Sequence, residues 1–236
     1  MRLNNRPNNQ MREVNIITDF LDNPLGSVLI EFGKTKVLCC ATVEESVPKW
    51  LRGQQCGWVT AEYSMLPSAG NERIQREAAR GKIGGRTYEI QRLIGRSFRA
   101  VCDLHLLGER TIWIDCDVLQ ADGGTRTASI TGGYVALALA VKRLMEQGKL
   151  THNPIKEHMA AVSVGIVKGE LMLDLDYSED STADVDMNLV MTQSGRLIEI
   201  QGTAEEEPFA LTECMEMIEL AQKGCKLLFD KQMDIL

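Results

Sequence analysis

Ile112-Trp113-Ile114-Asp115-Cys116-Asp117-Val118-Leu119-Gln120-Ala121-Asp122-Gly123-Gly124-Thr125-Arg126 is the stretch on which the reading of this chain turns. Ile112, Ile114, Cys116 and Val118 alternate with polar or larger residues, the period of a strand with one buried face. From Ala128 to Met145 the chain becomes rich in Ala, Leu and Val at helical spacing, and Gly148 ends the run. The intervening loop therefore joins a strand to the start of a helix. Helix starts leave backbone N–H groups unpaired, and the helix dipole favours negative charge there. Gly123 and Gly124 lack Cβ atoms, Thr125 offers a hydroxyl, and Arg126 offers a planar fork that suits phosphate. The spacing is not that of a P-loop, because no Lys-Ser/Thr follows. Two readings stand: a phosphate-binding loop, or a tight turn with a surface arginine.

Working outward, Gly84-Gly85-Arg86-Thr87 has the same design, with Thr87 as a candidate cap and Glu89 in the first turn. If both arginine loops face one point, they form a pocket for a dianion. Ile90, Leu93, Ile94 and Val101 give the following helix an apolar face, and Arg92, Arg96 and Arg99 give it a basic one. Gly95 weakens that helix by about 1 kcal/mol against Ala, so packing must hold it.

Toward the N-terminus, Val14 to Thr18, Val28 to Phe32, Lys36 to Val43 and Gly57 to Tyr63 read as strands, with a turn at Gly33-Lys34. Toward the C-terminus, Met159 to Val167, Leu171 to Asp176, Val185 to Thr192 and Leu197 to Gln201 read as strands. Pro208 is expected to open a helix that buries Cys214, Met217, Ile218, Ala221, Cys225 and Leu228. Strands then helix, twice, predicts an α+β fold of two related halves, residues 1–150 and 151–236, in a chain of 236 residues.

Six acids crowd the second half: Asp174, Asp176, Glu179, Asp180, Asp184 and Asp186. Alternation with Leu173 and Leu175 predicts Asp174 and Asp176 on one strand face, with a loop over Tyr177 to Ala183. Asp180 and Asp186 flank that loop and are candidates to converge on one cation. Mg²⁺ takes one or two carboxylates plus substrate phosphate oxygens. The run reads equally as a solvated acidic loop, and its spacing is not that of an EF-hand.

Composition narrows the function classes. The net charge of −7 argues against a protein that coats nucleic acid. Yet Arg73, Arg76, Arg80, Lys82, Arg86, Arg92, Arg96 and Arg99 fall close together, opposed only by Glu72, Glu77 and Glu89. That stripe is either one anion-binding surface or a solvated helix face laced with salt bridges. The seven cysteines show no CxxC and read as buried free thiols of a reducing compartment. His105, His152 and His158 are scattered, with no zinc spacing and no sign of a triad. With no long apolar run and no signal-like N-terminus, the expected location is the cytoplasm, away from membranes.

Four segments together resemble the ribonuclease PH family of bacterial phosphorolytic exoribonucleases. They are Gly57-Trp58-Val59-Thr60-Ala61-Glu62-Tyr63-Ser64-Met65-Leu66-Pro67, Glu89-Ile90-Gln91-Arg92-Leu93-Ile94-Gly95-Arg96, Asp115 through Ala128, and Glu199-Ile200-Gln201-Gly202-Thr203-Ala204-Glu205. The resemblance implies two βα halves with mixed or antiparallel sheets packed on helices. It implies a homohexamer built as a trimer of dimers. It further implies attack by inorganic phosphate on the 3′ end of RNA, precursor tRNA above all, with release of nucleoside diphosphates. Phosphate-binding positions fall on Arg86, Gly124, Thr125 and Arg126, and the Mg²⁺-holding pair on Asp180 and Asp186. The implied catalytic set is Arg86, Arg126, Asp180 and Asp186. The implied tRNA contacts are Arg73 and Arg76. Two departures stand out: Arg2-Leu3-Asn4-Asn5-Arg6 where the family has Arg-x-Asp-Gly-Arg, and Ser68 where it has Arg. The second falls on an implied RNA contact and on none of the phosphate or acidic positions. Competing readings are a non-catalytic RNA-binding ring subunit of an exosome-like assembly, and a small-molecule phosphate enzyme such as a kinase. Against the kinase, the sequence offers no nucleotide-binding fingerprint.

Overall fold

The computed structural model describes residue 2 and residues 5–236, and only the backbone of Arg80. Asn4, part of the N-terminal departure, and the Arg80 side chain lie outside the described residues. The first sheet is built from β1 (Val14–Thr18), β2 (Gly26–Phe32), β3 (Thr35–Glu44), β4 (Trp58–Met65) and β5 (Thr111–Gln120). The helices are α1 (Glu77–Arg80), α2 (Gly85–Val101), α3 (Leu104–Leu107), α4 (Thr125–Glu146), α5 (Tyr177–Asp180) and α6 (Leu211–Met233). The second sheet holds β6 (Met159–Val167), β7 (Glu170–Leu173), β8 (Val185–Thr192) and β9 (Leu197–Ala204).

The first sheet has the order β1-β2-β3-β5-β4, antiparallel except for the parallel pair β4 and β5, which α2 connects. The second has the order β7-β6-β8-β9 and is antiparallel throughout. The α+β expectation of mixed and antiparallel sheets packed on helices holds. The alternation in β5 does what its period requires: Ile112, Ile114, Cys116 and Val118 are buried.

The helix after the decisive loop is apolar nearly all round, and such a helix belongs in a core. Accordingly α4 lies between the sheets, packed on β2, β3 and β5 on one side and on β6 on the other. Its small residues permit this approach. A Cβ on Gly132 would lie 2.6 Å from Cγ2 of Ile30, and one on Gly133 would lie 2.7 Å from Cζ of Phe98. One hydrophobic cluster runs through both sheets, from Met11 to Phe229.

Several expectations need correction. The strand predicted over Leu171 to Asp176 stops at Leu173, because Asp174 turns into the left-handed region at φ 54°. Asp174 and Asp176 therefore do not share a strand face; Asp176 instead caps α5, which occupies part of the predicted loop. Pro208 does not open the last helix. That helix begins at Leu211, where Glu213 reaches back to the Ala210 N–H at 2.6 Å. All seven cysteines are free thiols, but only Cys39, Cys102, Cys116 and Cys225 are buried, while Cys40, Cys56 and Cys214 are half-buried. Among the described residues no helix is long and apolar enough to cross a membrane.

Candidate active site

The loop between β5 and α4 takes its shape from Gly123 at φ 76° and Gly124 at φ 66°. Gly124 is the N-cap of α4, and no side chain caps the helix start. Its first-turn N–H groups therefore remain available to an anion. The two glycines also serve a purpose that local pattern does not reveal. A Cβ on Gly123 would lie 2.6 Å from the Leu175 carbonyl and 2.8 Å from the Tyr177 nitrogen. The space is taken by the backbone of the second half, not left open for a ligand. Thr125 is buried, and its hydroxyl shares a 2.8 Å hydrogen bond with the Tyr63 hydroxyl from β4. Burial pushes the Tyr63 phenol up, so it stays protonated.

Arg126 projects from the first turn of α4 toward the other sheet. Its Nη1 donates to Oε1 of Gln201 on β9, and lies 3.6 Å from Oε1 of Glu89. Gln201 in turn donates to Glu89 at 2.8 Å. The sequence assigns Tyr63, Gln201 and Glu89 no role in the site: Tyr63 and Gln201 reach it from distant elements, and Glu89, although near the start of α2 with Arg86, meets Arg126 and Gln201 only through the tertiary fold.

Arg86 is an exposed residue in the first turn of α2. The expected cap, Thr87, does not cap the helix. No side chain caps it, but Glu77 of α1 lies at the helix start, accepting from the Gly84 N–H at 3.1 Å and the Thr87 hydroxyl at 2.8 Å. The second Gly-Gly-Arg start thus already has the Glu77 carboxylate beside it.

Of the six clustered acids, Asp180 and Asp186 face this region. Asp180 ends α5 and Asp186 lies near the start of β8. Burial, then the neighbouring Asp180 charge, pushes the Asp186 carboxyl up to about 6. Burial also raises Asp180, against the opposing pull of Arg126 and Arg86. Oδ1 of Asp186 is buried without a hydrogen-bond partner, and Oδ2 accepts from Asn188 at 3.3 Å. The remaining acids are engaged elsewhere: Asp174 and Glu179 bind arginines, Asp176 caps α5, and Asp184 accepts from the Gly169 N–H at 3.1 Å.

These groups meet. A cavity of about 250 Å³ is lined by Arg86, Gly124, Thr125, Arg126, Asp180 and Asp186, with Met65, Ser163, Tyr177 and Asn188 completing the wall. Two guanidinium groups and two carboxylates thus share one small space. Among the described residues no group of three His, Cys, Asp or Glu side chains can hold a metal ion. The two-carboxylate arrangement still fits Mg²⁺, which takes its other ligands from water and substrate phosphate. The orphaned buried oxygen of Asp186 is the feature that a cation would satisfy.

Arg73 and Arg76 lie on an exposed segment beside this cavity. Arg76 and Arg86 line a neighbouring hollow of about 470 Å³, together with Tyr63, Ile74 and Glu77. The basic stripe does not act as one surface. Arg96 pairs with Glu199 across the two halves at 2.7 Å. Arg99 donates to the Val59 carbonyl at 2.8 Å and stacks 4.3 Å from the Trp58 ring. A Cβ on Gly95 would lie 2.9 Å from Nη1 of Arg99, so a side chain there would displace that guanidinium.

The model of the RNase PH 3′ exoribonuclease family, domain 1, matches residues 10–142, and that of domain 2 matches residues 158–224. Among solved structures, rice (Oryza sativa) Rrp46 superposes with a TM-score of 0.80 at 19% identity, over 98% of this chain and 97% of that one. A chain of the Archaeoglobus fulgidus exosome with RNA bound to the active site gives 0.79 at 18% identity, over 98% and 92%. An archaeal exosome core gives 0.74 at 17% identity, over 98% and 90%.

Proposed function

The chain belongs to the RNase PH family of 3′ exoribonucleases, and from that premise we propose that it shortens RNA from the 3′ end with inorganic phosphate as the attacking group. The observation that carries this reading is the joint lining of one cavity by Arg86, Arg126, Asp180 and Asp186. Inorganic phosphate and the last phosphodiester are both anions, and bringing them together in a small space is opposed by their charge. Arg86, Arg126 and the N–H groups at the start of α4 hold the phosphate, and Thr125 accepts or donates a further bond. A phosphate oxygen then attacks the terminal phosphorus. The bond to the 3′ oxygen of the preceding nucleotide breaks, that oxygen takes up a proton, and a nucleoside diphosphate leaves. The same groups serve the reverse reaction.

Asp180 and Asp186 would hold Mg²⁺, which when bound supplies positive charge beside the transferring phosphoryl group. Gln201 and Glu89 aim the Arg126 fork. Because phosphate is the nucleophile, no Ser, Cys or His nucleophile is needed, and none of the three histidines lines the cavity. Arg73 and Arg76 are proposed to track the RNA backbone, with precursor tRNA as the substrate class and a homohexameric ring as the working assembly. Seven free thiols support action in a reducing compartment such as the cytoplasm.

A second reading has its own support. The structural relatives include Rrp46 and exosome chains, so the same fold fits a non-catalytic ring subunit that binds RNA. One assay separates the two: 3′-labelled RNA with and without inorganic phosphate. Phosphate-dependent release of nucleoside diphosphate is the expected result. Nucleoside monophosphate would mean hydrolysis, and RNA binding without release would favour the ring subunit.

A further inference from the structure

We infer that Arg12 and Asp174 are a positioning pair that fixes the anion loop of the first half against the helix of the second half that carries Asp180. The inference deepens the proposed site and rests on it. The phosphate-holding groups and the acidic pair come from opposite halves of the chain, so their separation must be set by something that bonds to both.

Asp174 has no exposed surface and adopts φ 54°, a region that L residues other than Asn and Asp rarely enter. Its Oδ2 accepts from the Arg12 N–H at 2.7 Å and from Nε at 3.0 Å, and its Oδ1 accepts from Nη2 at 2.7 Å. Arg6 adds a bond to Oδ2 at 3.1 Å. The far side of the Arg12 fork turns to the anion loop. Nη1 donates to the Asp122 carbonyl, and Nη2 approaches the Gly123 carbonyl at 3.4 Å. One buried guanidinium therefore joins the carboxylate just before α5 to the carbonyls just before Gly124. Gly33 leaves room for its stem: a Cβ there would lie 2.9 Å from Cδ of Arg12.

The N-terminal segment reinforces the same point. Arg2 binds both oxygens of Glu179, at 2.6 and 2.5 Å, and Glu179 accepts from the Asp176 N–H at 3.0 Å. Thus Arg2 and Arg6, which the departing N-terminal pattern retains, hold α5 from behind. A buried ion pair is a weak argument for stability, since burial opposes the gain from pairing. What the fork provides is direction: it is planar and fixes two points at once, which an ammonium cannot do.

If the pair sets the spacing, it governs how strongly phosphate and Mg²⁺ help each other to bind, and that coupling is reciprocal. Calorimetric titration of the full chain with inorganic phosphate, with and without Mg²⁺, measures it. For the native sequence, Mg²⁺ is expected to tighten phosphate binding by about tenfold. In Arg12→Lys, which keeps the charge and loses the fork, phosphate alone should bind within about threefold of native, while the tightening by Mg²⁺ falls below about twofold. The double variant Arg12→Gln, Asp174→Asn removes both buried charges together and should show the same loss. It answers the question if Arg12→Lys fails to fold. Equal coupling in native and variant proteins, or no coupling in the native protein, overturns the inference. Labelled RNA run in parallel keeps the two readings apart. A native protein that couples the ligands yet releases no nucleoside diphosphate overturns phosphorolysis and leaves the pair standing.

Discussion

Arg126 and Asp186 line one cavity and illustrate what single residues contribute. Arg126 is held by Gln201 and Glu89, so its fork is aimed before a ligand arrives. Removing a preorganised donor of this kind costs about 100- to 1,000-fold in turnover. Arg126→Ala should lose phosphate-dependent release by that factor while RNA affinity stays within about threefold. A gel-shift titration beside the release assay checks this, and equal loss of both would show that the roles are not separate. Asp186 is the converse case, a carboxyl whose charge the metal-free fold disfavours. Its value of about 6 lies above the ordinary carboxylate range, so the folded state holds the proton more tightly than the unfolded chain does. Ionisation therefore costs stability as pH rises from about 4 through 6, and the full cost persists above that window. Asp186→Asn should raise the unfolding free energy in metal-free buffer at about pH 8 by on the order of 1–3 kcal/mol, read as a higher Tm, and leave it nearly unchanged at about pH 4. The same variant should lower turnover far more than phosphate affinity. A reduced Tm at the higher pH would mean that the ionised group is not strained. Gly124, Thr125, Arg126, Arg86 and the two acids could be named from the sequence because residue type and local order carry the signal. Tyr63, Gln201 and Glu89 could not, because their part depends on which distant elements meet.

At the scale of elements, α2 is the instructive case. Arg92, Arg96 and Arg99 repeat as one basic face, but packing divides their work. Arg96 ties the helix to β9, and Arg99 folds over Gly95 onto β4. The RNA-tracking role proposed above therefore falls to the exposed segment with Arg73 and Arg76, next to the hollow that Arg86 and Arg76 share. Each arginine that neutralises a phosphate adds about 0.7 to 0.9 to the slope of log affinity against log salt. The double variant Arg73→Ala, Arg76→Ala should weaken tRNA binding and flatten that slope by about 1.5, whereas Arg96→Ala should leave the slope alone. Filter binding over a salt series distinguishes them, and an unchanged slope in the double variant would make both arginines structural. The second sheet offers a parallel lesson. Asp174 breaks the alternation of Leu171 to Asp176 because its carboxylate is drawn inward to Arg12, and the strand ends where that turn begins.

The whole molecule is organised around α4, which both sheets use as core. One large cluster of buried side chains joins them, and the second half adds only a small separate one at Val167, Met172, Leu175 and Ala183, so neither half has a large interior of its own to melt independently. Unfolding should be a single transition. Fluorescence of Trp50, Trp58 and Trp113, all in the first half, should coincide with far-ultraviolet circular dichroism of the entire chain in a urea series. Separated midpoints would show two cooperative units. The sequence by itself determined the presence of the strands and of the long helices α2, α4 and α6, the apolar character of α4, and the residue types that line the cavity, while the family rested on resemblance over four longer segments. The elements and residue types follow from periodicity and local chemistry, which act over a few residues. The tertiary structure alone decided that Gly123 is bare to admit the backbone of Leu175 to Tyr177, that Arg12 spans the two halves, and that Arg96 and Arg99 are committed to packing. Each depends on a contact between residues far apart in the chain, and no local pattern encodes which distant partner a side chain will meet.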